Sequence, residues 1–121
     1  MQYMLLIYND ELAWQRLSDA EREALVGQYF AYTDELRNAG AYIAGDPLQP
    51  TSTAKTVHVL DDERIVTDGP FAETKEQLGG YYLIDVESEE DAIEWAAKIP
   101  AARYGRIEAR PLMHVPDRVE A

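Results

Sequence analysis

The sequence predicts an α+β fold, in which strand-like segments alternate with two helices around an inserted hairpin. Three observations predict it. Two apolar runs of strand length, residues 3–8 and 81–86, have the composition of central strands. Two segments that begin at Ser18 and Ser88 have the caps and the apolar spacing of helices. Between them, two β-branched runs are separated by a polar connection of hairpin length.

The first half of the chain begins with residues 3–8, where no polar residue alternates with the apolar ones, so both faces of this strand should be covered. Residues 12–17 form a connector whose Trp14 could cover the edge of a core. Ser18 and Glu21 have the spacing of a capping box and begin the first long helix. Its predicted apolar stripe and its terminal glycine are Leu25, Tyr29, Tyr32, Leu36 and Gly40.

The second half of the chain contains a short strand at residues 41–45, an extended loop with two prolines, and the hairpin. The hairpin strands are residues 56–60 and 64–67. After the central run at 81–86, Ser88 caps the second helix, and Pro100 ends it. The alternation of apolar and charged residues at 106–113 is typical of an outer strand.

The length, the composition and the net charge of the chain restrict the classes of function that it could have. With 121 residues and no cysteine, the chain fits one domain, assigned to residues 1–113 with a tail at 114–121, and it has no thiol chemistry. The first residues lack the basic lead and the apolar length of a signal peptide or membrane span, so we expect a cytoplasmic protein without a membrane partner. The formal net charge of −12 disfavours direct nucleic-acid binding.

The two central runs also predict an assembly. Two helices on one face of a sheet leave its other face bare, yet these runs are apolar on both sides. A second copy of the chain, packed sheet against sheet in a symmetric homodimer, would cover that face. Alternatively, alternate tyrosines line a ligand cavity, and the two interpretations are compatible.

The segment at residues 68–80 joins turn residues, an aromatic residue and paired charges more closely than any other. Asp68, Gly69 and Pro70 are typical of a turn, which Phe71 would pin to the core. Such a turn is explained by backbone geometry alone.

The rest of this segment carries the charges. Glu73 and Lys75 would point the same way in an extended segment, where they could pair with each other or contact a polar ligand. Gly79 and Gly80 lead into a strand and not into a helix, which argues against a phosphate-binding loop.

Other chemistry-bearing residues are sparse. His58 and His114 are far apart and belong to no ligand-spaced set, so we expect neither a metal nor another cofactor. Tyrosine is frequent, with eight residues, of which most should be core or interface aromatics. One of them beside Asp68 could donate a proton to a bound ring. Those predicted to face inward are Tyr8, Tyr29, Tyr32 and Tyr82.

The chain resembles the YCII-related proteins of the DGPF-domain family nearly end to end. The resemblance rests on residues 3–8, on the whole 68–80 segment, and on residues 100–105 and 108–111. It implies a ferredoxin-like fold, an antiparallel sheet with two helices on one face that dimerises through the sheet into an α/β barrel. It also implies that the gene lies near genes for sigma factors of the extracytoplasmic-function type, which makes such a factor a candidate partner.

Some relatives in the wider group are thought to use a His-Asp pair as acid and base on small cyclic compounds. We align those positions with Tyr29 and Ile99, so neither partner is present in this chain. The resemblance instead places a site at the Asp-Gly-Pro-Phe loop near the dimer cavity. Its candidate ligand residues are Asp68, Glu73, Lys75, Tyr8 and Tyr82.

Two functional hypotheses follow. In the first, a small dimeric domain of regulatory type binds a small molecule or a protein such as a sigma factor. In the second, an acid-base enzyme acts on a small cyclic or aromatic metabolite, with Asp68 as the base and Lys75 as an electrostatic stabiliser. The missing His-Asp pair favours the first.

Overall fold

The structure is a computed structural model that describes residues 1–116. Its longer elements are β1 (Gln2–Asn9), α1 (Glu11–Arg16), α2 (Asp19–Asn38), β2 (Tyr42–Pro47), β3 (Lys55–Leu60), β4 (Glu63–Asp68), β5 (Gln77–Asp85), α3 (Glu89–Lys98) and β6 (Arg106–Pro111). Two short 3-10 turns lie at Thr51–Thr53 and Pro100–Arg103. Part of the predicted tail, residues 117–121, lies outside the described residues.

The main sheet has four strands in the order β2-β5-β1-β6, and every neighbouring pair is antiparallel. β3 and β4 form a separate two-stranded hairpin between β2 and β5. The predicted α+β class is therefore confirmed, and the strand order is consistent with a ferredoxin-like fold. The order of predicted elements is also correct, apart from the connector at 12–17, most of which belongs to the short helix α1.

Local capping explains where α2 begins and ends. The Ser18 hydroxyl accepts from the Glu21 backbone N–H at 3.1 Å, and the Glu21 carboxylate accepts from the Ser18 N–H at 2.9 Å. At the other end Gly40 adopts a φ of +73°, and the Ala41 N–H reaches back to the Leu36 carbonyl at 3.0 Å. This left-handed cap ends the helix where the sequence predicted.

The core lies between the sheet and the two longer helices. Alternate residues of β1 point into it, and they meet buried residues of α2, β5 and α3. The largest fully buried members are Leu5, Leu36, Ile84 and Ile99. Within the predicted stripe of α2, Tyr32 and Leu36 are buried, whereas Leu25 and Tyr29 are only half-buried. The helix therefore packs tightly at its C-terminal half and stands away from the sheet at its N-terminal half.

Within residues 1–116, no helix lies on the other face of the sheet. Met4, Leu6 and Tyr8 alternate with the buried residues of β1 and are half-buried on this open face. Tyr8, which the sequence predicts to face inward as a core or interface residue, is not in the core of the single chain, because the period of two along a strand places its side chain on the face opposite that of Ile7. Leu6 pairs with Tyr81, and Met4 pairs with Leu83, so apolar side chains run across the centre of the open face.

The hairpin projects from the domain. Asp61 and Asp62 both have positive φ values, 50° and 63°, which give the two-residue turn that matches the twist of paired strands. Its valines remain largely exposed, with Val57 at 58% and Val59 at 62%. We call β3 and β4 the hairpin arm.

Candidate functional site

A cavity of about 680 Å³ lies between α2 and the sheet, where the helix stands away from the strands. Its walls are mostly apolar or aromatic and come from α1, α2, the loop after β2, and β5. The main wall residues are Ile7, Trp14, Leu25, Val26, Tyr29, Phe30, Leu48, Tyr82 and Tyr104. Because Phe30 is 69% exposed, the mouth of the cavity is itself apolar.

Glycines form part of the cavity wall. Gly80 pairs with Ile7, whose side chain points toward the helices, so a side chain at Gly80 would enter the same space. A Cβ atom at Gly80 would lie 3.0 Å from the Asp46 carbonyl oxygen. A Cβ atom at Gly45 would lie only 2.6 Å from Cδ1 of Tyr82. Gly79 and Gly80 thus lie inside β5 and line the cavity, whereas the sequence predicted only that they lead into a strand.

The buried end of the cavity carries a chain of hydrogen bonds. The Thr33 hydroxyl donates to the Tyr29 carbonyl at 2.9 Å, one helical turn earlier. The same Thr33 oxygen is 2.8 Å from the Tyr82 hydroxyl. The Tyr82 ring is held by an edge contact with Tyr32, at 5.1 Å between ring centroids, and by a longer one with Tyr42.

The tyrosines around this chain are held neutral. Burial raises the pKa of Tyr29, and the neighbouring Tyr104 raises it further. Burial likewise raises the pKa of Tyr82 and that of Tyr104. At neutral pH these phenols therefore form hydrogen bonds and do not act as bases.

Charged residues lie among the wall residues as well. They comprise three acids and one arginine: Glu11, Asp34, Arg37 and Asp46. The Asp46 carboxylate accepts from the Tyr81 hydroxyl at 2.9 Å, and the Arg37 guanidinium lies 4.7 Å from the centre of the Tyr42 ring. The balance of charge around the cavity is negative, which disfavours an anionic ligand.

Glu11 ties three segments together beside the cavity. Its two carboxylate oxygens accept from the Thr51 N–H at 2.7 Å and from the Thr51 hydroxyl at 2.8 Å. Its own backbone N–H donates to the Gln77 side chain at 3.0 Å. The end of the 68–80 segment is thereby fixed against α1 and against the loop that follows β2.

The structure separates the predicted site residues. Within residues 1–116, Tyr82 lines the cavity, whereas Asp68, Glu73 and Lys75 lie outside it. Asp68 forms an exposed ion pair with Lys55 across the hairpin arm. Glu73 and Lys75 are exposed and form no ion pair with each other in the described part of the chain. A ligand role for these three residues stays a prediction, as does one for Tyr8 on the open face.

The turn at the start of the 68–80 segment has the predicted backbone. Gly69 adopts a φ of +89°, a conformation that favours glycine, and its N–H donates to the Ala54 carbonyl at 2.7 Å. Phe71, however, does not pin the turn to the core, because it is 90% exposed. That prediction is wrong for a single chain.

Sequence reasoning missed Thr33, Gly45 and Tyr104. A local signal existed for Thr33, which follows Tyr29 by four residues in a helix, the spacing at which a threonine hydroxyl bonds back to a carbonyl. Gly45 and Tyr104 meet the cavity only through tertiary contacts between distant segments. Among residues 1–116 no group of three or more His, Cys, Asp or Glu side chains could hold a metal ion. No helix in that part is long and apolar enough to cross a membrane.

Comparison with known proteins gives a family. A family model described as YCII-related domain matches residues 1–116. The chain is also 40% identical over 114 residues to the uncharacterized protein R00369 of Rhizobium meliloti (strain 1021), a match that covers 93% of this chain and 92% of the relative. These two findings agree with the motifs at residues 3–8 and 68–80, and the chain belongs to the YCII-related domain family.

Proposed function

We propose that this protein binds a small, neutral, aromatic or cyclic molecule in the cavity between α2 and the sheet. The observation that carries the proposal is the cavity itself, about 680 Å³ in volume and walled largely by aromatic and aliphatic side chains. Sites for small molecules commonly enclose roughly 300–1,000 Å³ and combine apolar walls with a few polar groups. The hydroxyls of Tyr29, Tyr82 and Tyr104 supply such groups.

Binding is better supported than acid-base turnover. The base of the enzyme hypothesis, Asp68, is exposed, pairs with Lys55 and does not line the cavity. Of the carboxylates among the wall residues, Glu11 is occupied by Thr51, and Asp46 accepts from Tyr81. A general base needs a free acceptor within reach of the proton that it removes, and among the wall residues only Asp34, which is exposed to solvent, offers one.

Trp14 provides a direct readout, because it lines the cavity while Trp95 lies elsewhere. In a Trp95→Phe background, neutral bicyclic aromatics should change the fluorescence of Trp14 with a saturable dependence on concentration. Gly80→Leu, which places a side chain in the cavity, should abolish the change. Tyr8→Phe, on the open face, is the matched control and should bind normally. Unsaturable changes, or equal binding by Gly80→Leu, would contradict the proposal.

A homodimer forms the second part of the proposal. Two copies would pack through the open face, where Met4, Leu6 and Leu83 are half-buried although no helix or strand among residues 1–116 packs over them. The charges on the open face also favour a second copy of the chain as the partner. Although the chain has a net charge of −12, the charges at the open-face positions of the outer strands cancel, because Arg106 and Arg110 offset Asp46 and Glu108. Charges on this face therefore do not oppose the packing of two identical chains through it.

A regulatory protein is the other candidate partner, and the hairpin arm favours it. Val57 and Val66 of the arm and Phe71, three residues beyond its end, are at least half exposed, and an isolated two-stranded hairpin is only marginally stable in water. In the cytoplasm, a sigma factor could pack on this surface. A purified extracytoplasmic-function sigma factor should then bind the wild-type chain and lose affinity for Val57→Asp. Equal affinity for both chains would refute this alternative.

A further inference from the structure

We propose that the cavity selects ligands that carry a hydrogen-bond donor, such as a phenol or an aromatic amine, and that the Tyr82 oxygen receives this donor. The inference rests on the proposed function and makes it more specific. It depends on where two hydroxyl protons lie in the chain from Tyr82 through Thr33 to Tyr29.

The position of the Thr33 proton comes first. The Thr33 hydroxyl oxygen lies 2.9 Å from the Tyr29 carbonyl oxygen. Two oxygens at this distance repel each other unless a proton lies between them, and a carbonyl carries none. The single hydroxyl proton of Thr33 is therefore committed to Tyr29, the usual bond of a helical threonine to the preceding turn.

The Tyr82 proton follows by elimination. Its hydroxyl oxygen is 2.8 Å from the Thr33 oxygen, so a proton must lie between these two atoms as well. Since the proton of Thr33 is already used, Tyr82 donates. The phenol oxygen then offers only lone pairs to the cavity, so it acts there as an acceptor.

The surroundings keep this acceptor in place. The Tyr82 ring is 8% exposed, makes edge contacts with Tyr32 and Tyr42, and lies against Gly45, where no side chain fits. A ring held in this way does not turn its hydroxyl away when a ligand enters.

A matched pair of probes tests the inference. 2-Naphthol and 2-methoxynaphthalene share the same rings, but only the first carries an O–H donor. Titrated against Trp14 fluorescence in the Trp95→Phe background, the naphthol should bind about tenfold more tightly, as one hydrogen bond to a buried acceptor predicts. Equal affinities would overturn the inference while the proposed function stands. Saturable binding of neither probe would count against the proposed function and therefore against both.

Variants of Thr33 and Tyr82 then test whether the preference for a donor-carrying ligand arises at these two residues. Thr33→Val removes the acceptor of the Tyr82 proton and frees that proton for the ligand, so the ratio of the two affinities should fall to about one or reverse. Thr33→Ser keeps the hydroxyl and should keep the ratio. Tyr82→Phe should lose the preference as well. Because the readout is a ratio of affinities, a general loss of stability does not imitate it. An unchanged ratio in Thr33→Val would refute the assignment to Tyr82.

Discussion

At the scale of single residues, the cavity depends on glycines, which have no side chain, as much as on the tyrosines around it. Gly45 and Gly80 leave room beside Tyr82, and the tyrosine rings enclose what remains. The hydroxyl chain through Thr33 then turns an apolar space into one with a defined polarity. Glycine has no side chain, and a helical threonine that bonds to its own helix is common, so composition and motif patterns gave little warning of their role.

Gly45→Ala tests the first of these points. The new Cβ atom would stand 2.6 Å from Cδ1 of Tyr82, whose ring is held by Tyr32 and cannot easily yield. We expect a loss of about 1–3 kcal/mol in the free energy of unfolding, the usual cost of forcing atoms into a packed site. Urea denaturation measures it.

Gly27→Ala is the matched control for this substitution. Gly27 lies within α2, and a Cβ atom there would meet no heavy atom within 4 Å. Because alanine has a higher helix propensity than glycine, this variant should gain roughly 0.5–1 kcal/mol. If Gly45→Ala were as stable as the wild type, the packing of Tyr82 against the glycine would be misjudged.

The neutral tyrosines predict how stability depends on alkaline pH. Burial raises the pKa of Tyr32 and of Tyr29 in the folded chain above the ordinary value of 10.0, while unfolding restores that value. Their contribution is therefore complete below about pH 10 and is lost as the pH rises through the folded-state pKa values. Unfolding free energies measured upward from about pH 9 should fall steadily. Tyr32→Phe should fall less steeply, and an identical slope would contradict the assignment.

At the scale of elements, the fold was largely predictable, because its boundaries depend on local chemistry. The caps at Ser18 and Ser88, the left-handed Gly40 and the hairpin all lie where short-range patterns place them. β5 was predicted to start too late, because Gly79 and Gly80 resemble a break when read alone. In the sheet Gly80 pairs with Ile7 of β1 and with Pro47 of β2, and Gly79 lies at the register shift next to it, so tertiary contacts override their low strand propensity.

The site was predictable only in part, for a related reason. Tyr82 was recognised because an aromatic residue in a central strand predicts burial. The cavity, however, arises where α2 leaves the sheet, and that gap depends on how Leu25 and Tyr29 pack, which periodicity does not reveal. Charged residues in a recognisable motif drew attention to Asp68, Glu73 and Lys75 instead.

Ser18→Ala tests whether local capping stabilises the N-terminal end of α2. The substitution removes the acceptor for the Glu21 N–H and breaks the capping box. We expect about 1 kcal/mol lower stability in thermal or urea unfolding, the usual cost of losing such a cap. Ser18→Asp keeps an acceptor and should stay near the wild type. Equal stability of Ser18→Ala and Ser18→Asp would show that packing alone positions this end of the helix.

At the scale of the whole molecule, charge and apolar surface are distributed unequally. The outer surfaces of both longer helices carry many of the 23 acidic residues, and α3 begins with three in succession. The open face of the sheet instead combines apolar strand centres with balanced charges at its edges. A strongly acidic chain that keeps one face neutral is well suited to self-association there and to repulsion elsewhere.

Leu6→Asp tests the homodimer. It places a charge at the centre of the open face, where in a face-to-face pair each copy would bury it without a partner. Light scattering of the wild type should give twice the 13.7 kDa mass of one chain, and Leu6→Asp should give the single-chain mass.

Ile93→Asp supplies the control for this experiment, because Ile93 is exposed on α3, away from the open face, and the variant should remain dimeric. Added salt should strengthen the wild-type dimer, since it screens the repulsion between two chains of charge −12. A single-chain mass for the wild type at micromolar concentration, at low and high salt alike, would refute association through this face. The half-buried leucines of the open face would then need another partner, and the exposed hairpin arm would be the next surface to test.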